Sequence, residues 1–194
     1  MKLPNLFQKK LTPEGFWTWF AANAEALKTG DLERNMVQIG EKLAQVDADF
    51  CPGLAPLPTH FQLEISAGGI KSVAPRVLEM VRAAPSIPGW KIVAFRQPMD
   101  PPCIRMGNQE IDLAHTKFVV TGRDQNLLNI RLFVPVPVDC PKDILGEIGF
   151  LGLDHTLGEE MVMTRLGEIE FDNIVSAPPT AQLISELAII LSGS

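Results

Sequence analysis

Cysteine is scarce in this chain, and the spacing of the few that occur argues against one class of protein. Cys51, Cys103 and Cys140 are an odd number, lie far apart and form no C-x-x-C pair. Small domains held together by disulfides carry even numbers of closely spaced cysteines. We therefore expect no disulfide framework and a reducing compartment. A zinc site built from these three thiols stays open, although the short-spaced ligand pairs typical of zinc sites are missing.

The chain also has few basic residues and no long apolar runs. The chain has 23 acidic and 17 basic residues, a net charge of −6, so it shows no basic footprint for nucleic acid. No run approaches the roughly 18 apolar residues of a membrane-spanning helix. Residues 1–11 lack the apolar region of a secretory signal. We therefore expect a cytoplasmic protein that binds neither nucleic acid nor membranes.

The common nucleotide-binding and nucleophile motifs are absent as well. The turn at Gly68 and Gly69 lacks both the Walker spacing and the three-glycine dinucleotide spacing, and no G-x-S-x-G elbow occurs. No cofactor is therefore expected. The 46% apolar content is near the globular average and allows a proper core, so we expect a single domain over residues 1–194.

The first quarter of the chain predicts two helices. Thr12, Pro13 and Glu14 provide a hydroxyl cap, a proline at the first helical position and an acid in the first turn. A Thr-Gly-Asp sequence at 29–31 ends this helix and caps a second one. The apolar residues of the second helix repeat at helical spacing: Leu32, Met36, Ile39, Leu43 and Val46. Residues 12–47 therefore predict an N-terminal helical hairpin, and a proline-rich connector follows at 51–58.

Residues 58–172 predict an α+β core. Strands are expected at 60–66, 90–96, 115–120, 126–134 and 160–171, with a short hairpin near Gly107 and a bulge at Gly167. Helices are expected at 70–84 and 141–157, and residues 178–194 form an apolar C-terminal tail. This order predicts a mostly antiparallel sheet with helices packed on one side. It resembles a ferredoxin-like core order with an inserted hairpin.

A helical wheel separates the side chains of the helix at 141–157 into four rows. Two opposite rows are apolar: Ile144, Ile148 and Leu151 with His155, and Phe150, Leu153 and Leu157. An acidic ridge and a glycine row complete the wheel: Asp143, Glu147 and Asp154, and Gly146, Gly149 and Gly152. Each helical glycine costs about 1 kcal/mol relative to alanine, so we expect a neighbouring element to approach closely. This helix is expected to lie between the sheet and either the N-terminal hairpin or a second subunit.

Residues 154–160 gather one of the three histidines and three carboxylates. On the wheel His155 points into the core and Asp154 to the acidic ridge, while Glu159 and Glu160 enter the next strand in solvent. The simpler interpretation makes His155 a core imidazole. The alternative is a metal-dependent or acid/base enzyme centred on His155 and Glu159, with Asp154 as a further candidate. Because H-x-x-x-E is a weaker signature than H-E-x-x-H, no metal ligand is assigned.

The polar face of the expected sheet is a second candidate site. It carries a mixed set of side chains that could bind a small ligand or a partner: His60, Glu64, His115, Lys117, Asn129 and Arg131. The alternation of an antiparallel sheet also places such side chains in solvent. Both interpretations stay open.

Four motifs carry a resemblance: the aromatic run at residues 16–20, Ile65-Ser66-Ala67-Gly68-Gly69-Ile70, Pro88-Gly89-Trp90 with Ala94-Phe95-Arg96, and Leu153-Asp154-His155-Thr156-Leu157-Gly158-Glu159. Together they resemble a group of uncharacterised bacterial proteins. This resemblance implies a bacterial, cytosolic protein. It supplies no activity, substrate or catalytic residue.

The helices expected from the sequence have more apolar surface than one sheet can cover. We therefore expect a non-catalytic binding or protein-interaction module. Its contact surface would be the helix at 141–157, the hairpin that carries Trp17 and Trp19, or the C-terminal tail. The partner would be another protein or a second copy of the chain.

Overall fold

The computed structural model describes residues 10–100 and 102–192. The chain groups into two compact units, Met1–Phe95 and Arg96–Ser194, and the expectation of one domain over 1–194 stays a prediction. The described residues form six α-helices and nine strands in mixed sheets, which confirms the α+β class. Within these residues, no helix combines the length and apolar character needed to cross a membrane. Residues 1–9, where a signal was judged absent, and the last two tail residues lie outside the described part.

The first unit begins with two helices that start where their caps predict. α1 (Pro13–Lys28) is capped by the Thr12 hydroxyl, which accepts a hydrogen bond from the Gly15 N–H at 3.1 Å. α2 (Leu32–Val46) is capped by the Asp31 carboxylate. The buried side chains of both helices lie at helical spacing: Phe16, Trp17, Phe20, Ala24 and Leu27, and Ile39, Leu43 and Val46. The hairpin arrangement of the two helices stays a prediction.

A three-stranded sheet completes the first unit. Its elements are β1 (Cys51–Pro56), β2 (Phe61–Ser66), α3 (Ala74–Arg82) and β3 (Trp90–Ala94). β2 pairs antiparallel with β1 and parallel with β3. The prediction of a connector at 51–58 was wrong, because residues 51–56 of this segment form strand β1. An edge strand tolerates proline, since its outer N–H groups need no partner.

Strand β2 is buried on both faces, although the sequence placed its Glu64 on a polar sheet face. Gln62 and Glu64 are only 5% and 8% exposed. The Gln62 Nε2 donates to Glu64 Oε1 at 3.0 Å, and Glu64 lies opposite Gly53 of β1. A Cβ on Gly53 would come within 2.8 Å of the Glu64 carboxylate. A central strand buries alternate polar side chains when both of its faces are covered, and sequence alternation alone does not show this.

The second unit holds the remaining elements: β4 (Cys103–Met106), β5 (Gln109–Asp112), β6 (Lys117–Asp124), β7 (Leu127–Val134), α4 (Lys142–Leu157), α5 (Glu159–Arg165), β8 (Leu166–Asn173), β9 (Gln182–Leu183) and α6 (Ile184–Ser192). β4 and β5 form the short hairpin expected near Gly107. The other strands form a sheet in the order β8-β7-β6-β9, in which only β7 and β8 are parallel. The ferredoxin-like order is not confirmed, because the described strands fall into three separate sheets.

The segment at 160–171 was predicted as one strand, but its first half is helix α5. The Val162 N–H donates to the Gly158 carbonyl at 3.1 Å and so begins a new helical turn directly after α4. The bulge at Gly167 is confirmed. Leu128 pairs with Leu166 but Ile130 pairs with Ile169, so β8 carries one extra residue at this point.

Helix α4 turns Gly146 and Gly149 toward strand β8. The residues it buries include Leu145, Ile148, Gly149, Gly152, Leu153 and Leu157. A Cβ on Gly149 would overlap the Phe171 ring of β8. The close approach expected from the three glycines is therefore found at Gly149, whereas a Cβ on Gly146 or Gly152 would lie at ordinary contact distance from its neighbours. Phe150, on the apolar row that contains Leu153 and Leu157, is 40% exposed.

We predict opposite effects for alanine at two glycines of the same helix. Gly149→Ala should lower the free energy of unfolding by about 1–3 kcal/mol, because the new methyl group forces the Phe171 ring to move. Gly146→Ala is the matched control, since its Cβ would lie 3.9 Å from that ring. It should raise stability by up to about 1 kcal/mol through helix propensity. Chemical denaturation followed by circular dichroism would measure both, and equal changes would contradict the close contact.

In the first unit, ion pairs link α3 to the residues that follow α2. The Arg76 guanidinium donates to Asp47 Oδ2 at 2.6 Å and to Asp49 Oδ2 at 2.8 Å. The hydrogen bond from Arg76 holds the pKa of the Asp47 carboxyl below its ordinary value of 3.8, against an opposing effect of burial. The folded protein therefore favours the ionised form of Asp47.

This ion pair predicts a pH-dependent contribution to stability. The folded pKa of Asp47 lies below its ordinary value, so the contribution is present above about pH 3.8 and is lost as the pH falls through the folded pKa. Arg76→Gln should lower the melting temperature at neutral pH, and the difference from the unchanged protein should close in strong acid. The exposed Arg34 of α2 provides the control substitution Arg34→Gln. A difference that stays constant with pH would refute the linkage.

Candidate functional site

Gly158 joins α4 to α5 with a backbone conformation that favours glycine. Its φ is 79° and its ψ is 142°, so it is not the left-handed helical cap that glycine commonly provides. Its N–H donates to the Asp154 carbonyl at 2.8 Å. A Cβ here would lie 3.0 Å from Cδ of Pro98 and 3.5 Å from the carbonyl of Arg96. Glycine therefore permits both the sharp turn and the close approach of residues 96–98.

Glu159, the first residue of α5, is fully buried and binds the backbone of Arg96 twice. The Arg96 N–H donates to Glu159 Oε2 at 3.0 Å, and the Glu159 N–H donates to the Arg96 carbonyl at 3.0 Å. The expectation that Glu159 is solvated was therefore wrong, while Glu160 is exposed as expected. The burial depends on a residue 63 positions away in the chain.

The side chain of Arg96 forms an ion pair with a second carboxylate, that of Asp154. Its Nη1 donates to Asp154 Oδ2 at 2.7 Å, and the Asp154 side chain is only 4% exposed whereas that of Arg96 is 35% exposed. A partly buried pair of this kind is screened less than a surface pair. Asp154 was expected on an outward acidic ridge, and this was wrong because Arg96 covers it. We call Arg96, Asp154 and Glu159 the Arg96 cluster.

His155 is half-buried, so it does not fill the core as the wheel predicted. Its carbonyl accepts a hydrogen bond from the Met99 N–H at 2.7 Å. Together with the Arg96 cluster, this bond anchors residues 96–99 to the end of α4. Asp154 and Glu159 act here as hydrogen-bond acceptors that position a chain segment. Catalytic roles for His155, Glu159 and Asp154 stay predictions.

The residues of the expected polar sheet face do not share one face. Glu64 lies on β2 and His60 precedes it, both in the first unit. His115 ends a 3₁₀ turn and contacts Asp112 at 3.1 Å. In the second unit, Lys117 and Arg131 lie on β6 and β7, where Arg131 pairs with Glu170 of β8. Their roles as ligand-binding residues stay predictions.

Two of the three cysteines, Cys103 and Cys140, favour the thiol over the nucleophilic thiolate. Cys51, Cys103 and Cys140 form no disulfide. The pKa of Cys103 and of Cys140 lies above its ordinary value, first because burial disfavours the thiolate and then because nearby carboxylates repel it. Among residues 10–100 and 102–192, no group of three or more His, Cys, Asp or Glu side chains could hold a metal ion.

Sequence reasoning missed Arg96 as a member of the site. It was treated as the last residue of a strand, whereas β3 ends at Ala94 and Phe95 adopts a positive φ of 66°. A bulky residue in this region is uncommon, and its conformation follows from tertiary contacts. One signal was present in the sequence: Arg96 is a charged residue directly after the largely apolar run that ends at Phe95.

We predict that the two adjacent acids differ sharply in their contribution to stability. Glu159→Ala should lower the free energy of unfolding by about 1–3 kcal/mol, because it leaves the part-buried Arg96 N–H without its acceptor. Amide hydrogen exchange at Arg96 and Met99 should accelerate. The control Glu160→Ala alters an exposed side chain and should change stability by less than about 0.5 kcal/mol. Equal effects of the two substitutions would show that Glu159 does not anchor residues 96–99.

Comparison of the chain with protein-family models, with curated proteins and with solved structures finds no significant match. The resemblance to bacterial proteins is not confirmed, and the function must be argued from this chain alone.

Proposed function

We propose that the protein is a non-catalytic protein-interaction module that binds another protein along the outer edge of β8. The observation that carries the proposal is a group of exposed apolar side chains beside this edge. We define the β8 edge patch as Val138, Phe150, Phe171 and Val175. In it Val138, Phe150 and Val175 are 75%, 40% and 71% exposed. Exposed apolar groups beside polar surroundings are typical of protein contact sites.

Two members of this patch are in contact, and the other two are placed by their neighbours in the chain. The rings of Phe150 and Phe171 lie with their centroids 4.9 Å apart. The Asn173 side chain donates to the carbonyls of Val136 and Pro137, which brings the residues before Val138 to the end of β8. Val175 follows in the turn Ile174–Ser176. The patch therefore runs from the middle of α4 toward the end of β8.

The backbone of β8 adds a second kind of contact. β8 is the terminal strand of its sheet, and in the described residues it pairs only with β7. An edge strand presents N–H and C=O groups that can pair with another chain. Apolar side chains and backbone groups on one edge support protein recognition.

The alternative, an acid/base enzyme centred on His155 and Glu159, has less support. The two carboxylates of the α4–α5 junction both bind Arg96. Glu159 accepts a hydrogen bond from its backbone N–H, and Asp154 accepts one from its guanidinium. A general acid or base must reach the proton that it transfers, and Glu159 is fully buried. A bacterial cytosolic setting is part of the proposal, on the basis of the resemblance alone.

Site-specific photo-cross-linking in a bacterial cell would test this function. A photoreactive amino acid at Phe150 should form a discrete adduct with another protein, because this ring projects beside the open edge. The same amino acid at Ile189 is the matched control, since Ile189 is 74% exposed on α6 and lies outside the patch.

The adduct from position 150 should disappear when Val175→Asp places a charge in the patch. Absence of an adduct at 150, or equal adducts at 150 and 189, would overturn the proposal. An adduct of twice the chain mass would identify a second copy as the occupant and would also contradict it.

A further inference from the structure

The two sides of β8 carry different chemistry, and the strand register shows which residue lies on which side. Phe171 pairs with the buried Leu132 and packs beneath Gly149, so it lies on the α4 side of the sheet. Glu170 pairs with Arg131 and Asp172 with Phe133, so both acids lie on the opposite side. After the bulge, residues 169–173 form a regular edge in which apolar side chains on the α4 side alternate with acids on the other side, where Glu170 already pairs with Arg131.

A strand added to this edge would continue the same alternation. Successive side chains of a strand point to opposite faces, and cross-strand neighbours lie within about 5.5 Å. One set of added side chains would therefore meet Phe150 and Phe171. The other set would meet Glu170 and Asp172. The edge fits an extended segment in which apolar and basic residues alternate.

A second copy of the chain does not fit this edge. An antiparallel pairing of two β8 strands about Glu170 would place Glu170 against Glu170 and Glu168 against Asp172. Like charges directly opposite each other destabilise a strand pair, and each chain carries a net charge of −6. The charge therefore selects a partner of opposite sign.

We propose that the occupant of the β8 edge is an extended segment of another protein, with alternating apolar and basic residues, that adds to the sheet as a further strand. This proposal rests on the proposed function, because it identifies the partner of the β8 edge patch. Backbone hydrogen bonds to β8 would supply affinity, and the alternation of side chains would supply specificity.

Binding of synthetic peptides to the full chain, measured by fluorescence anisotropy, tests this proposal. The probe is a short peptide of alternating valine and lysine. A peptide of the same composition with its valines and lysines in separate blocks is the control for charge. A third peptide is N-methylated at two successive central residues, so that one hydrogen bond to β8 is lost in either strand direction. The alternating peptide should bind at least about tenfold more tightly than both controls.

Substitutions in the protein should shift this affinity in opposite directions. The double substitution Glu170→Gln and Asp172→Asn should weaken binding by about tenfold, since two opposite-charge contacts are lost. Arg131→Gln should strengthen it, because Arg131 competes for Glu170. Gln182→Ala on β9 is a control at the other edge and should change nothing.

The outcomes separate this proposal from the proposed function. Equal binding of all three peptides would mean attraction by charge alone and would overturn strand addition. A cross-link at position 150 without binding of the alternating peptide would overturn this proposal and leave the interaction module standing. Failure of both experiments would overturn both.

Discussion

The contact between Gly149 of α4 and the Phe171 ring is the constraint on which the second unit depends. Three glycines cost the helix about 3 kcal/mol in propensity relative to alanine. Phe171 packs partly buried against the core that holds Val134 and Leu132, so it gains part of the roughly 1.5–3 kcal/mol of a fully buried phenylalanine. The close approach leaves Phe150 outside, against the ring of Phe171. It also fixes the end of α4, where Asp154 and Gly158 meet residues 96–98.

The Arg96 cluster shows how buried acids can be structural. An isolated buried carboxylate is costly, whereas one that accepts hydrogen bonds in good geometry is tolerated and specifies one arrangement. Glu159 accepts the Arg96 N–H and Asp154 accepts from its guanidinium, so a shift of residues 96–99 by one position would break several bonds at once. These acids therefore set the register of the segment on the α4–α5 junction. This use explains why carboxylates lie beside a histidine without forming a solvent-accessible site.

Local signals predicted a good part of the fold, and long-range packing decided the rest. The caps at Thr12 and Asp31, the bounds of α4 and the bulge at Gly167 follow from residues close in sequence. The burial of Asp154 and Glu159 could not be predicted, because it depends on Arg96, 58 and 63 positions away. The helical wheel described α4 correctly as a helix but could not show which row met the sheet. For the same reason the alternation of β2 did not show that both of its faces are covered.

The two edges of the sheet in the second unit differ in how they are protected against pairing with other chains. β6 is covered at its first two residues by β9, and a register shift after Val120 interrupts the rest. Such devices keep an edge strand from pairing with other chains. Among the described residues no strand covers β8, and β8 contains no proline, so that after its bulge its remaining protection is charge from Glu170 and Asp172. Charge of one sign prevents pairing between copies but attracts a strand of the other sign. An acidic edge of this kind disfavours pairing with a second copy of the chain and favours pairing with a basic strand of a partner.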